Sequence, residues 1–264
     1  MTLAERVAEV EWYHSIDLPG GVTTRGWFDT RRVVAKVPLP ASLAGLRCLD
    51  VGTWDGFWAF EMERRGAASV TAVDIEDPER WDWPAPARAG GTGLEVLRAV
   101  KSADRGFAIA HEALGSRVER HDLSVYELDP ERLGTFDLVF VGSLLLHLRD
   151  PVGALERVRS VCHGRVVVAD AVEAIPSLLW PRTPVARLDG RDRPWWWQPN
   201  RAALIRMVES AGFTIQEATG LYFEPLGPGH PAAKPNLRGL RTAAGREELV
   251  VALKGVPHVA VRAR

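Results

Sequence analysis

From about Gly45 onward, short runs rich in apolar and β-branched residues alternate with stretches whose apolar positions recur every three or four residues. The first kind fits strands and the second amphipathic helices, because side chains repeat every two residues in a strand and every 3.6 in a helix. The pattern predicts strands at Arg47–Val51, Ser69–Ile75, Val118–Leu123, Phe136–Gly142 and Arg165–Ala171, with helices between them at Gly56–Arg65, Phe107–Leu114 and Pro151–Cys162. Asn200 is placed to cap a helix over Arg201–Ala211 and Gly212 to end it, after which Thr214–Phe223 and Glu248–Lys254 bring the strands to about seven. Sustained alternation of this kind specifies a Rossmann-like, doubly wound α/β sheet, mostly parallel with an antiparallel last strand.

Residues 1–44 precede the sheet and read as a helical N-terminal cap, with residues 45–264 forming the sheet-bearing domain. Two long connections, 78–105 and 175–199, read as lid insertions, since loops of that length in a compact domain are usually functional. A third, 225–245, is rich in proline and glycine.

Charge narrows the partners. A formal net charge of -1 gives no overall attraction for a polyanion, which makes nucleic acid a poor default partner. The longest apolar runs, such as Leu138–Leu146, fall well short of the roughly 20 residues that cross a bilayer. Met1–Val10 carries mixed charges in place of a leader's apolar run, so no membrane association is expected. The two cysteines, Cys48 and Cys162, sit in apolar surroundings and read as core residues of a reduced, cytoplasmic protein. The histidines are not grouped with cysteines or acids at metal-ligand spacing, and no metal is expected.

Ligands of open α/β sheets bind beyond the carboxyl ends of the strands. The loop after the first strand is Asp50-Val51-Gly52-Thr53-Trp54-Asp55-Gly56. Gly52 permits a tight turn and close backbone approach, Gly56 lets the following helix start near a ligand, and Asp50 or Asp55 can take an ammonium group. The G-x-G-x-x-G spacing of a dinucleotide site is absent, and two aspartates would repel a pyrophosphate, which disfavours a nicotinamide-dependent oxidoreductase. Asp74, at the end of the second strand, is placed for two ribose hydroxyls; Asp122 and Leu123, at the end of the third, offer a carboxylate and an apolar wall to an adenine. Ile75, Gly142 and Ser143 lie at the same edge and complete the expected cofactor-binding set.

These residues resemble those of class I S-adenosylmethionine-dependent methyltransferases, over roughly Leu46–Lys254, with Trp54 in place of the usual middle glycine. The resemblance implies S-adenosyl-L-methionine as cofactor and S-adenosyl-L-homocysteine as product. Within the class, Trp12-Tyr13-His14-Ser15-Ile16-Asp17, Gly26-Trp27-Phe28-Asp29, Phe57-Trp58-Ala59-Phe60-Glu61-Met62 and Leu145-Leu146-His147-Leu148-Arg149-Asp150-Pro151 look like the group containing the tRNA wobble-uridine carboxymethyltransferase. In that enzyme a lysine of the N-terminal segment and a tyrosine before the fourth-strand histidine hold the cofactor's extra carboxylate; the matching positions here are His14 and Leu146, so plain S-adenosylmethionine is expected.

An enzyme methylating an O, N or C atom of a small molecule is therefore the favoured reading, ahead of a tRNA-modifying enzyme and of a non-catalytic cofactor-binding module. His147 is the first candidate for a general base, at the cofactor end of the fourth strand; His14 and Tyr13 on the cap are the next. Trp27, Arg32, Arg191 and Trp196 are the expected acceptor-binding residues: Trp196 belongs to a Trp195-Trp196-Trp197 run able to stack on a planar ligand or to pack a lid. Arg25, Arg31, Arg32, Arg187, Arg191 and Arg193 are the candidates for phosphate contacts should the substrate be RNA.

Overall fold

The computed structural model describes residues 1–90, 95, 101, 105–190, 193–231 and 243–264, and every structural statement below refers to these. Eight strands form the main sheet: β1 (Arg47–Val51), β2 (Ser69–Asp74), β3 (Glu119–Asp122), β4 (Phe136–Gly142), β5 (Cys162–Ala171), β6 (Ile215–Ala218), β7 (Tyr222–Glu224) and β8 (Val256–Ala263). Their order is β6-β8-β5-β4-β1-β2-β3, with β7 also paired to β8. The five strands from β1 to β5 run parallel, whereas β8 is antiparallel to β5 and both β6 and β7 are antiparallel to β8. The chain leaves β1 in one direction to β2 and β3 and returns on the other side to β4, so the order reverses between β1 and β4. A crevice opens at that reversal, at the carboxyl ends of the strands.

Period-two alternation divides the central strands between two cores. Cys48, Leu138, Phe140 and Val167 enter one cluster with Trp58 and Met62, whereas Leu49, Val139, Val141 and Val168 enter the other with Leu155 and Leu204. Both faces are covered, which is why these strands read as unbroken apolar runs. Two helices on opposite sides carry much of the cover, one over Phe57–Arg64 and one over Pro151–Val161. The second opens on Pro151 after Asp150, whose carboxylate accepts from Gly153 N at 2.8 Å. Asn200 caps the helix Arg201–Ser210 by accepting from Ala203 N at 2.8 Å, at the position its side chain predicts.

Three features differ from the sequence pattern. Glu248–Lys254 lies in a helix, Ala243–Lys254, and the closing strand is Val256–Ala263. Gly255, at φ 95°, ends that helix; its N–H still reaches Val251 O at 2.8 Å, so the apolar run before it is the last helical turns and not the strand. Thr214–Phe223 is two strands, β6 and β7, separated at Gly220 and bringing the sheet to eight. Finally, the N-terminal segment holds one short helix, Leu3–Ala8, and is otherwise extended or in single 3-10 turns. Trp12–His14 pairs in parallel with Gly26–Phe28, and Asp17–Leu18 pairs with Val22–Thr23. Trp12 is buried, its Nε1 donating to Val7 O at 2.9 Å, and Val7, Ile16, Val33 and Leu43 join the core cluster of Trp58.

Candidate functional site

The loop after β1 is folded by its glycines and by Asp74. Gly52, at φ 79°, turns its N–H onto Val73 O at 2.9 Å, and Gly56, at φ 92°, packs so closely that a Cβ would lie 2.4 Å from the Phe60 ring. Between them Trp54 adopts φ 49°, a left-handed conformation costing a non-glycine residue about 1–2 kcal/mol. Its backbone N–H donates to Asp74 Oδ2 at 2.7 Å, and its ring packs on Tyr13 at 4.8 Å and Trp81 at 5.7 Å between centroids. Asp74 Oδ1 accepts from Ile75 N and from Lys101 Nζ, both at 2.7 Å, and the Lys101 ammonium also sits 4.8 Å from the Trp81 ring.

A single cavity lies along this edge of the sheet, and it gathers most of the predicted residues. Asp50, Gly52, Trp54, Asp74 and Ile75 line it from β1 and β2; Leu123 joins from β3, Gly142, Ser143 and His147 from β4, and Tyr13 and His14 close it from the N-terminal segment. Asp50 is buried, its carboxylate accepting from Thr53 Oγ1 at 2.7 Å. Burial pushes its carboxyl up to about 7, against the lowering effect of Thr53 and His14 and with a further push from Asp74.

Other predicted residues have different partners. Asp55 faces the N-terminal segment: Oδ2 accepts from Tyr13 N at 2.9 Å and His14 N at 2.8 Å, and Oδ1 meets His14 Nδ1 in a short contact. It fastens the extended segment over the cavity in place of lining it. Thr53 supports Asp50, and Gly56 packs on Phe60. Asp122 points outward, taking Glu76 N at 3.1 Å and Arg80 Nη1 at 2.6 Å, while its neighbours Leu123, Ser124 and Val125 line the cavity. Trp27 donates Nε1 to Glu11 Oε2 at 3.3 Å and Arg32 pairs with Asp29 at 2.9 Å; neither lines the cavity. Trp196 donates to Asp82 O from its ring and to Leu146 O from its backbone, which ties the 175–199 connection to the core, and it does not line the cavity. Arg191 lies outside the described residues.

The histidines divide by partner. His147 donates Nδ1–H to Pro194 O at 2.7 Å, and burial lowers its imidazole to about 4, so near neutrality the ring is uncharged and presents the Nε2 lone pair. His14 is buried; desolvation opposes its charge, but the Asp55 carboxylate outweighs that and holds the ring above its ordinary value. Burial raises the Tyr13 phenol far above its usual range, with Glu224, Asp170 and Asp55 adding to the rise, so it stays neutral. At the β5–β8 end the cavity is lined by Ser143, Tyr222, Glu224 and His258. The last three escape a reading of local sequence, because β7 and the start of β8 meet only through long-range pairing. The one available signal is a glutamate and a histidine inside otherwise apolar strand-like runs. Among the described residues no three His, Cys, Asp or Glu side chains are grouped to hold a metal ion, and no helix is long and apolar enough to cross a membrane.

Residues 27–218 match the methyltransferase-domain family. A ubiquinone biosynthesis O-methyltransferase of Psychrobacter arcticus is 26% identical over 190 residues, covering 70% of this chain and 65% of that protein. A tRNA U34 carboxymethyltransferase of Aeromonas hydrophila is 27% identical over 228 residues, covering 75% of this chain and 62% of that protein. The chain thus spans a little under two thirds of the length of these curated relatives, 62–65%. Among solved structures, the Burkholderia thailandensis 1,6-didemethyltoxoflavin-N1-methyltransferase, with bound 1,6-didemethyltoxoflavin and S-adenosylhomocysteine, superimposes with a TM-score of 0.50 at 18% identity, covering 84% of this chain and 71% of that one.

Proposed function

This chain belongs to the methyltransferase-domain family and has a class I S-adenosylmethionine-dependent methyltransferase fold, and on that footing we propose that it moves the methyl group of S-adenosylmethionine onto a small molecule held in the cavity between Asp74 and His258. The observation that carries this reading is the continuous cavity itself, with a carboxylate at each of the first two strand ends and the N-terminal segment closing it from above. The donor set fits the cofactor: Asp50 is a carboxyl whose burial outweighs the help of Thr53 and His14, an environment that a ligand ammonium group would relieve. Gly52 leaves room beside Leu144, from whose Cδ atoms a Cβ there would lie only 3.4 Å. Asp74, which accepts from Trp54 N on Oδ2 and from Ile75 N and Lys101 Nζ on Oδ1, keeps acceptor capacity on Oδ2 for a ribose hydroxyl, and Leu123 and Val125 supply an apolar wall for a base. Bound there, the cofactor supplies a sulfonium methyl that needs no further activation. The protein positions the acceptor and excludes water. His147, uncharged and fixed by Pro194, acts as a hydrogen-bond acceptor for ligand; His14 and Tyr13 hold the closing segment in place.

A small acceptor is favoured over RNA because the described candidate arginines are already engaged. Arg31 pairs with Asp17 and Asp29, Arg32 with Asp29, Arg187 with Glu173 and Arg193 with Asp189, while Arg25 reaches Pro228 O. The same argument favours the plain cofactor over a carboxylated one. His14 is neutralised by Asp55, Arg80 by Asp122 and Lys101 by Asp74, and Leu146 is a buried apolar side chain outside the cavity lining. Burying an extra carboxylate against such surroundings costs several kcal/mol. Competition calorimetry decides the point. S-adenosylmethionine should bind at least as tightly as its carboxylated analogue, and a clear preference for the analogue would return the reading to carboxymethyl transfer.

A further inference from the structure

At the β5–β8 end of the cavity a histidine is held between oxygen atoms on both ring nitrogens. His258 Nδ1 lies 3.0 Å from Val256 O, while Nε2 lies 3.1 Å from Ser143 Oγ and 3.4 Å from Glu224 Oε2. Glu224 is fixed in turn by Thr30 of the N-terminal segment, whose Oγ1 donates to Oε1 at 2.6 Å. The ring stacks on Tyr222 at 5.8 Å between centroids, and Ser143 is presented by a left-handed backbone at φ 48°. The charged and titratable groups around it are Glu224, Asp170, Tyr13 and Tyr222; Asp170 is held by the N–H groups of Leu144, Leu145 and Ala171. With Nδ1–H on the Val256 carbonyl, the Nε2 lone pair meets the Ser143 hydroxyl, and a proton delivered there faces the buried Glu224 carboxylate.

We propose that His258, backed by Glu224, is the proton acceptor for a hydroxyl-bearing planar acceptor seated against Ser143, Tyr222 and Trp58. The assignment rests on the methyl-transfer reading above. The acceptor O–H bond breaks and its proton goes to His258 Nε2, directly or through the Ser143 hydroxyl. The freed oxygen pair forms the bond to the methyl carbon, and the electrons of the breaking C–S bond stay on sulfur as a neutral thioether. Glu224 offsets the positive charge that His258 gains, and the proton leaves to solvent with the product. The aromatic walls of Tyr222 and Trp58 suit a flat ring, and a phenolic hydroxyl is acidic enough to give its proton to an imidazole and becomes a far better nucleophile when it does.

The test uses 4-nitrophenol as probe on the full chain saturated with S-adenosylhomocysteine, reading the phenolate absorbance below the probe's solution midpoint. The ionised fraction of bound probe should exceed that in solution by about tenfold. In His258→Gln and Glu224→Gln this excess should disappear, while the affinity of His258→Gln for S-adenosylhomocysteine stays within about twofold of the parent. Bound probe that is not ionised, absence of probe binding to the loaded wild-type chain, or an undiminished excess in His258→Gln overturns the assignment. Failure of the wild-type chain to bind S-adenosylhomocysteine overturns instead the reading beneath it.

Discussion

Asp50 carries the most information of any single side chain in the site. Its carboxyl sits at about 7 because burial disfavours the charge. A group whose folded value lies above its unfolded one binds more protons in the native state between the two, so Asp50 makes the ligand-free fold less stable as pH rises from about 4 to about 7. A ligand ammonium group reverses that penalty by favouring the carboxylate. Binding of S-adenosylhomocysteine near pH 6 should therefore release close to one proton, read as a dependence of the calorimetric enthalpy on the buffer's ionisation enthalpy. Asp50→Asn should show no such dependence and at least tenfold weaker binding; proton uptake, or release unchanged in the variant, would separate Asp50 from the ligand. Residues defined by strand ends were legible in the sequence: Asp50, Gly52 and Asp74 are where strand and loop grammar puts them. Asp55 and Asp122 were legible as acids at the right edge, but their partners, the His14 segment and Arg80, come from 41 and 42 residues away. Charge and position alone do not reveal which oxygen is already taken.

At the scale of elements, the parallel strands β1, β2, β4 and β5 follow the apolar pattern closely because most of their residues are buried between the two cores, whereas the edge strand β3, Glu119–Asp122, is largely exposed and polar. The pattern fails where that logic stops. Glu248–Lys254 has the composition of a buried strand, and the adjoining Gly255, at φ 95°, is the local cue that marks it as a helix end. The N-terminal segment is held by backbone pairing and by Asp55, neither of which leaves a helical period to read. Gly26 is the tight point of that pairing: a Cβ there would lie 2.1 Å from the His14 carbonyl carbon. Gly26→Ala should thus displace Trp12–His14 from Gly26–Phe28, weaken S-adenosylhomocysteine binding about tenfold or more, and leave the far-UV circular dichroism of the sheet near native. Wild-type affinity in that variant would mean that the segment contributes nothing to the closed cavity.

At the scale of the whole molecule, one sheet separates two cores, and its carboxyl edge, the N-terminal segment and the paired strands β7 and β8 together enclose the cavity. The fold places two carboxylates, Asp50 and Asp74, at the β1–β2 end of the cavity and Glu224 with His258 at the other, and it ties the described candidate arginines to acids or carbonyls. The cofactor's proposed place is this cavity, against Asp74 at the end of β2. The most direct measurement is calorimetric titration of the purified chain and of Asp74→Ala with S-adenosylhomocysteine. The wild type should bind with one site per chain, and the variant at least tenfold more weakly, since charge-assisted hydrogen bonds to ribose are each worth about 1.5–3 kcal/mol and Asp74 also anchors Trp54 and Lys101. Equal affinity of the two proteins would contradict the account, because the ligand would then lie away from the β2 end of the sheet.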